Sequence, residues 1–203
     1  MICLPGQRIT VRDWIKAEIE PWLAAHEPGQ AWQALDGPYY SRPAQQRLRE
    51  RAERLREQIQ TSEFPDPRQR LVIAGIRSNQ LLGTVSSYWI SQETHWLASG
   101  IVLFDEANWG QGLGYEALGL WHDYLWQTHP AIVRLDLQTW SGNHGMMALA
   151  LKLGYREEAR FRRARIVAGE YYDGLGYGIL REEWATRYPD GFAASLRGSG
   201  PVG

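Results

Sequence analysis

The sequence predicts one mixed α/β domain with a mostly antiparallel sheet. Three β-rich segments follow one another between residues 71 and 104, as the strands of a meander do. A glycine-rich stretch then separates this run from a helical segment. Two alternating stretches near the end meet at Ala168-Gly169, which is typical of a hairpin turn. Together these observations predict a central sheet flanked by helices.

The N-terminal part is expected to contain a strand, a helix, a loop and a second helix. Residues 8–14 alternate apolar and polar positions, which indicates a half-buried strand. Residues 15–27 carry apolar side chains at helical spacing. Residues 32–43 combine turn formers with aromatic residues and predict a loop. Residues 45–60 form a strongly charged helix with a narrow apolar stripe, so most of its charges should face solvent.

The rest of the chain is predicted to complete the sheet. Strands are expected at residues 71–76, 81–90, 97–104 and 133–140, and in a final hairpin at residues 156–167 and 171–180. Helices are expected at residues 114–128 and 143–153, the second of which ends at Gly154. We expect residues 1–192 to form a single domain and residues 193–203 to form a disordered tail.

Composition argues against several classes of function. The formal net charge is -1, whereas a general nucleic-acid binder normally carries a basic excess. No apolar run approaches the ~20 residues that a membrane helix needs. Cys3 is the only cysteine, which excludes an internal disulfide and favours a reducing compartment. The histidines lack ligand spacing, so no metal is expected. The predicted location is cytoplasmic.

The most informative stretch runs from Asn108 to Ala117. Gly110, Gly112 and Gly114 allow backbone conformations that other residues resist, and they let a ligand approach closely. The free amides at the start of the following helix favour an anion. A tight turn without a ligand would have the same pattern. The spacing G-x-G-x-G after antiparallel strands does not fit a dinucleotide fingerprint, and no Walker string occurs.

Three motifs occur in order along the chain: NWGQGLGYEAL, NHGMMALALKLGY and YYDGLGYGILREEW. With them, residues 8–184 resemble the GNAT superfamily of acyl-CoA transferases and are similar to the branch that contains the Rim-type ribosomal-protein N-terminal acetyltransferases. The resemblance implies a sheet whose central parallel strands splay apart in a V. It also implies acetyl-CoA as cosubstrate, an amine acceptor (a protein N-terminus or a small molecule) and direct attack in a ternary complex.

The resemblance also implies which residues hold the coenzyme. The strand at Ile101, Val102 and Leu103 would pair with the pantetheine arm. The pyrophosphate would bind the backbone amides of Gln111, Gly112, Leu113, Gly114 and Tyr115. Asn143 would contact the pantetheine arm, although a simple helix N-cap explains this residue equally well.

Three positions depart from the family pattern. Trp109 stands where Gln or Arg is usual, and Ala150 and Met146 stand where a Tyr or a Ser commonly supplies the general acid. The sequence is therefore also compatible with a non-catalytic acyl-CoA-binding or sensing module. An α/β interaction protein without any nucleotide is a third hypothesis, which the linked motifs disfavour. An exposed final hairpin is also compatible with a homodimer.

The general base and the acceptor site are left open. Candidates for the base are Glu106, Glu116, Asp136, His144 and Tyr172. The helix dipole explains an acid at Glu116 at least as well. Candidates for acceptor binding are Trp32, Tyr39, Tyr40 and Arg42, together with Tyr172 and Asp173, although packing is the commoner role of loop aromatics. A cluster in the final hairpin would attract an acidic substrate or a coenzyme phosphate, or would simply be a solvated edge strand: Arg160, Arg162, Arg163 and Arg165.

Overall fold

The computed structural model describes residues 1–198 and is built around one eight-stranded sheet. In chain order the strands are Cys3–Pro5 (β1), Ile9–Arg12 (β2), Arg70–Gly75 (β3), Leu81–Ser91 (β4), Trp96–Leu103 (β5), Arg134–Trp140 (β6), Arg156–Val167 (β7) and Glu170–Leu180 (β8). Their order across the sheet is β1-β2-β3-β4-β5-β6-β8-β7. Every neighbouring pair is antiparallel except β5 and β6. The predicted fold class is therefore confirmed.

Helices cover both faces of this sheet. They are Ile19–Ala25 (α1), Gln45–Thr61 (α2), Leu113–Thr128 (α3), His144–Leu153 (α4), Arg181–Arg187 (α5) and Phe192–Gly198 (α6). Strand β3 separates two cores, because successive side chains of a strand point to opposite faces. Val72 packs with Trp22 of α1, whereas Leu71 packs with Trp121 of α3. None of the helices in residues 1–198 is long and apolar enough to cross a membrane.

The predicted elements are present with shifted ends. The first strand is Ile9–Arg12 rather than residues 8–14, and the short β1 precedes it. The first helix begins only at Ile19, after a 3-10 turn. The sequence analysis missed α5, although its start carries a readable signal. Glu183 reaches back so that its Oε2 accepts a hydrogen bond from the backbone N–H of Leu180 at 2.9 Å.

The expected disordered tail is wrong for residues up to 198. Phe192 is fully buried and begins α6. Its ring lies against Gly119 of α3, where an added Cβ would be only 2.3 Å from the ring. The backbone N–H of Phe192 also donates to Asp123 Oδ2 at 2.7 Å. The domain therefore continues through α6, and residues 199–203 lie outside the described residues.

The two central parallel strands separate halfway along their length. Strand β5 pairs with β6 only from Leu97↔Leu135 to Ser99↔Leu137. Beyond this point β5 continues beside β4 up to the pair Gly83↔Leu103, and β6 continues beside β8. The V-shaped gap that the family resemblance implies is thus present, and it opens toward the start of α3.

Candidate functional site

Strand β5 turns unpaired backbone groups toward the gap. The N–H of Phe104 donates to the carbonyl of Leu82 at 3.0 Å, so even-numbered residues of this regular ladder bond to β4. The odd-numbered Ile101 and Leu103 therefore point their N–H and C=O groups into the gap. The Leu103 carbonyl accepts a hydrogen bond from Trp109 Nε1 at 3.1 Å. Within residues 1–198 no strand pairs with Ile101 on this side, which leaves an edge for an extended ligand.

The glycine turn, residues 109–115, lies at one end of the gap. Gly110 has φ +69° and Gly112 has φ +79°, a region that favours glycine. Gly112 is also the N-cap of α3, and it provides no side-chain cap. The first amides of α3 therefore have no intrahelical acceptor and carry the positive end of the helix dipole. This geometry suits an anion.

Arg8 adds a positive charge beside the glycine turn, which the sequence analysis did not anticipate. Its Nη1 donates to the carbonyl of Gln111 at 2.5 Å. Its Nη2 would be 3.0 Å from a Cβ added to Gly112. The Arg8 side chain is 51% exposed, so it is accessible to a ligand that binds the turn.

A cavity of about 880 Å³ connects the glycine turn, the strand gap and the loop before α2. Seven of the predicted coenzyme residues line it: Ile101, Val102, Leu103, Gly112, Gly114, Tyr115 and Asn143. The two others have side chains elsewhere. Leu113 is buried in the core, and Gln111 turns its Nε2 to the carbonyl of Ala107. For Gln111 and Leu113, contact between the backbone amides and the coenzyme stays a prediction.

Asn143 ties the loop before α2 to the rim of the cavity. Its Oδ1 accepts from the N–H of Met146 at 3.0 Å, which confirms the helix N-cap. Its Nδ2 donates to the carbonyl of Leu35 at 3.2 Å, and Trp140 Nε1 donates to the same carbonyl at 2.9 Å. The contact of Asn143 with a pantetheine arm stays a prediction.

Four of the six acceptor candidates line the cavity, whereas Tyr172 and Asp173 do not: Trp32, Tyr39, Tyr40 and Arg42. Trp32 also packs, because it is only 6% exposed and its ring contacts Phe104 at 5.8 Å. Arg42 lies over the Trp32 ring, with its Cζ 5.4 Å from the centroid. Tyr39 contacts Trp140 edge to face at 6.4 Å. The loop thus forms an aromatic wall with a cation at its edge.

Asp36 is a functional candidate that the sequence analysis missed. Of the described residues that line the cavity, it alone carries a carboxylate. The Asp36 side chain is 57% exposed, and the partial desolvation of its carboxyl raises its pKa, while Arg42 and Arg70 partly oppose that shift. Arg42 Nη1 lies 4.0 Å from its Oδ2. An aspartate next to Gly37 and Pro38 is typical of a turn, so no local pattern indicated a functional role for Asp36.

Glu116 has a structural role in the fold, and its position does not favour the predicted role as general base. Its side chain is 2% exposed and lies outside the cavity. Its Oε1 accepts hydrogen bonds from the backbone N–H groups of Gln7, Arg8 and Ile9 at 2.5, 2.9 and 3.2 Å. The carboxylate therefore holds the start of β2 against α3.

The remaining base candidates also lie outside the cavity lining. Glu106 and His144 are exposed. Asp136 accepts from Arg134 Nε at 2.8 Å, and burial raises the pKa of this carboxyl. Tyr172 packs edge to face on Trp140 at 4.8 Å, behind the cavity wall. The structure therefore brings none of these four to the gap. No cluster of His, Cys, Asp or Glu able to hold a metal occurs among residues 1–198.

The glycine turn, the strand gap and the flanking helices have the arrangement that the family resemblance implies, and the comparisons agree. The family described as "Acetyltransferase (GNAT) domain" matches residues 8–156. Since this is most of the chain, the protein belongs to the GNAT acetyltransferase family. No curated protein gives a significant sequence match.

Solved structures share the fold at low sequence identity. A GNAT-family acetyltransferase from Bacillus anthracis is 16% identical with a TM-score of 0.68, over 89% of this chain and 99% of that one. RimL, the ribosomal L7/L12 α-N-protein acetyltransferase, solved in complex with coenzyme A, is 19% identical with a TM-score of 0.65, over 88% of this chain and 98% of that one. The ribosomal-protein-S5-alanine acetyltransferase from Vibrio fischeri is 14% identical with a TM-score of 0.68, over 91% and 99%. At these identities the likeness concerns the fold, and the neighbours include Rim-type enzymes.

Proposed function

We propose that the protein is an acetyl-CoA-dependent N-acetyltransferase that moves an acetyl group to a primary amine on a protein N-terminus or a small molecule. The observation that carries the proposal is one cavity that joins an anion-binding turn, an open strand edge and an aromatic wall with a single carboxylate. The other acetyltransferases of this fold support the reaction type.

The residues at the turn fit a coenzyme. The amides at the start of α3 and the guanidinium of Arg8 would hold the pyrophosphate. The edge of Ile101 would pair with the amides of the pantetheine arm. Gly114 leaves room for this arm, because an added Cβ would come within 3.4 Å of Leu149 and narrow the passage.

The protein's part in the chemistry is positioning, oxyanion stabilisation and proton removal. The acceptor nitrogen attacks the thioester carbonyl directly, the C–N bond forms, and the thiolate leaves. An N–H of Ile101 or Leu103 would donate to the developing oxyanion. Asp36 would accept the proton of the attacking amine, directly or through water. Met146 and Ala150 carry no acidic proton, so water would protonate the thiolate.

Those two positions are also the reason to keep the second hypothesis, a non-catalytic acyl-CoA-binding module. Met146 lines the cavity where a hydroxyl is usual, and Ala150 is fully buried. A binding module would bind the coenzyme but would release no thiol in the presence of any acceptor.

Calorimetric titration with acetyl-CoA tests the coenzyme site, with desulfo-CoA and NAD as controls. Binding of the coenzyme A species alone is the expected result. A screen of amines and N-terminal peptides for thiol release then separates the enzyme from the binding module. Absence of coenzyme binding would contradict both hypotheses.

The cytoplasmic location and the homodimer stay predictions. The final hairpin exposes three large apolar side chains that a second copy would cover: Phe161, Ile166 and Tyr171. A monomer mass by light scattering at micromolar concentration would contradict the dimer.

A further inference from the structure

The four arginines of the predicted cluster in the final hairpin have different surroundings. Arg160 is paired, because it bonds to Glu157 Oε1 at 2.7 Å and to Asp173 Oδ2 at 2.9 Å. Arg162 and Arg163 are exposed and lie outside the cavity lining. Arg165 lines the cavity. An electrostatic role, if the cluster has one, therefore belongs to Arg165.

A bulge in β7 turns Arg165 toward the cavity. The pairing with β8 runs through Phe161↔Gly174 and resumes at Arg165↔Tyr172, so β7 has extra residues between these points. Arg163 at the centre of the bulge has φ +55°. Its N–H donates to Asp173 Oδ1 at 2.9 Å, which holds the bulge in place.

The Arg165 guanidinium is held in one position but lacks an acidic partner. Its Cζ lies 4.7 Å from the centroid of Tyr39. On its other side lies Gly174, where an added Cβ would be in ordinary van der Waals contact, 3.5 Å from that Cζ. Nη1 donates to the carbonyl of Ala164 at 3.0 Å, while the buried Nε has no hydrogen-bond partner in the described part of the chain. No carboxylate of residues 1–198 forms an ion pair with it.

The acceptor end of the cavity therefore has one unmatched positive charge. Its lining carries Arg42 and Arg165 against the single carboxylate of Asp36, and Arg42 is the cation near that carboxylate. Arg70, behind the wall, adds to the positive potential, since among the described residues its guanidinium makes one hydrogen bond, to Thr84 Oγ1 at 3.4 Å. Arg165 stacks on Tyr39 and has no acidic partner among residues 1–198, and a guanidinium suits a planar carboxylate.

We propose that the acceptor amine carries a carboxylate a few atoms from its nitrogen and that Arg165 binds this carboxylate. The inference rests on the proposed function, whose acceptor it specifies. The coenzyme has its own cations at the opposite end of the cavity, Arg8 at the glycine turn and Lys152 beside Tyr115. The carboxylate would belong to a free amino acid or to an acidic residue at a peptide N-terminus.

Thiol release with matched amine pairs tests the proposal. Phenylalanine is compared with phenethylamine, and a peptide that begins with Glu is compared with the same peptide that begins with Gln. The wild type should prefer the carboxylate-bearing member of at least one pair by about tenfold to a hundredfold in kcat/KM. The amino acid pair and the peptide pair distinguish the two sources of the carboxylate.

Variants at Arg165 test the residue itself. Arg165→Gln should remove most of the preference, and Arg165→Lys should retain part of it, because lysine keeps the charge but loses the planar fork. Arg162→Gln is the matched control, since it removes an exposed arginine of the same strand and should leave the preference intact. Thermal melts check that all three variants are folded.

Three outcomes would overturn the proposal. Equal rates within each pair would show that no carboxylate is recognised. An unchanged preference in Arg165→Gln would exclude this residue. A loss of acetyl-CoA affinity in Arg165→Gln, measured by calorimetry, would assign Arg165 to the coenzyme instead. If no amine is acetylated, the proposed function fails, and the carboxylate site is then tested by titration of the coenzyme-loaded protein with the same amine pairs. Affinity for the carboxylate-bearing member that depends on Arg165 would support the site. Equal affinity for the two members of each pair would overturn the proposal.

Discussion

Replacement of Glu116 by Gln should destabilise the fold without removing the chemistry. One carboxylate oxygen accepts three backbone N–H groups, and its side chain is 2% exposed. A hydrogen bond to a charged acceptor contributes about 1 kcal/mol more than one to a neutral acceptor. Loss of the charge on three such bonds therefore lowers the free energy of unfolding by about 3 kcal/mol. For a chain of this size that corresponds to a fall in Tm of about 6 to 12 °C.

The assay is urea and thermal unfolding combined with turnover at a temperature where the variant is folded. Glu106→Gln is the matched control, because it makes the same chemical change on an exposed carboxylate. Its effect on stability should stay within about 0.5 kcal/mol.

The opposite pattern would refute the reasoning. A Glu116→Gln protein with the stability of the wild type but without turnover would mean that this carboxylate acts as the base. The three backbone hydrogen bonds to Glu116 would then contribute little to the free energy of unfolding.

Three further predictions concern the coenzyme, the base and the response to pH. Gly112→Glu should weaken acetyl-CoA binding by more than about 100-fold, because it places a negative charge in the anion site. Gly112→Ala is the control and should have a smaller effect, because it adds a strain of about 1–2 kcal/mol at positive φ but no charge. Unchanged affinity of the Glu variant for acetyl-CoA, measured by calorimetry, would place the pyrophosphate elsewhere. Asp36→Asn should lower kcat/KM about 100-fold while the exposed Asp190→Asn does not, and equal turnover of these two variants would remove Asp36 from the proton transfer. Burial lowers the pKa of His122 from 6.5 to about 3. Below about pH 6.5 the unfolded chain therefore binds a proton that the native state excludes, so the protein loses stability as the pH falls from 6.5 toward 3. Between pH 7 and 5 the wild type should lose about 2 kcal/mol more than His122→Gln in urea unfolding, and parallel losses in the two proteins would contradict a neutral buried histidine.

Much of the fold could be predicted because it depends on short-range patterns. The strands between residues 70 and 103 and the final hairpin lie within a few residues of their predicted ends. The turn at Ala168-Gly169 has positive φ at both residues, a conformation that glycine favours and that Ala168 adopts against its own preference. The glycine turn was recognisable for the same reason, since Gly110 and Gly112 adopt a backbone conformation that few other residues accept.

The missed features depend on partners that are distant in the chain. Glu116 stood out as an acid in a first helical turn, but its partner Gln7 is 109 residues away. Helix α6 replaces the first part of the expected disordered tail because Phe192 packs into the space that Gly119 leaves for its ring. Neither contact can be predicted from residues that are neighbours in the sequence.

The sequence by itself determined the succession of elements from β2 to β8, the glycine turn and the family of the chain, since periodicity, turn chemistry and motif order act through near neighbours. Only the tertiary structure decided which charged side chains share the cavity. Asp36, from the loop, and Arg165, which follows the bulge, both line it because the splayed strands and the loop anchored on Asn143 enclose one space. Arg160 and Arg165 are five positions apart on one strand, but only the tertiary structure gives them different surroundings. Arg160 forms an ion pair with Asp173, whereas Arg165 has a buried Nε without a hydrogen-bond partner in the described residues.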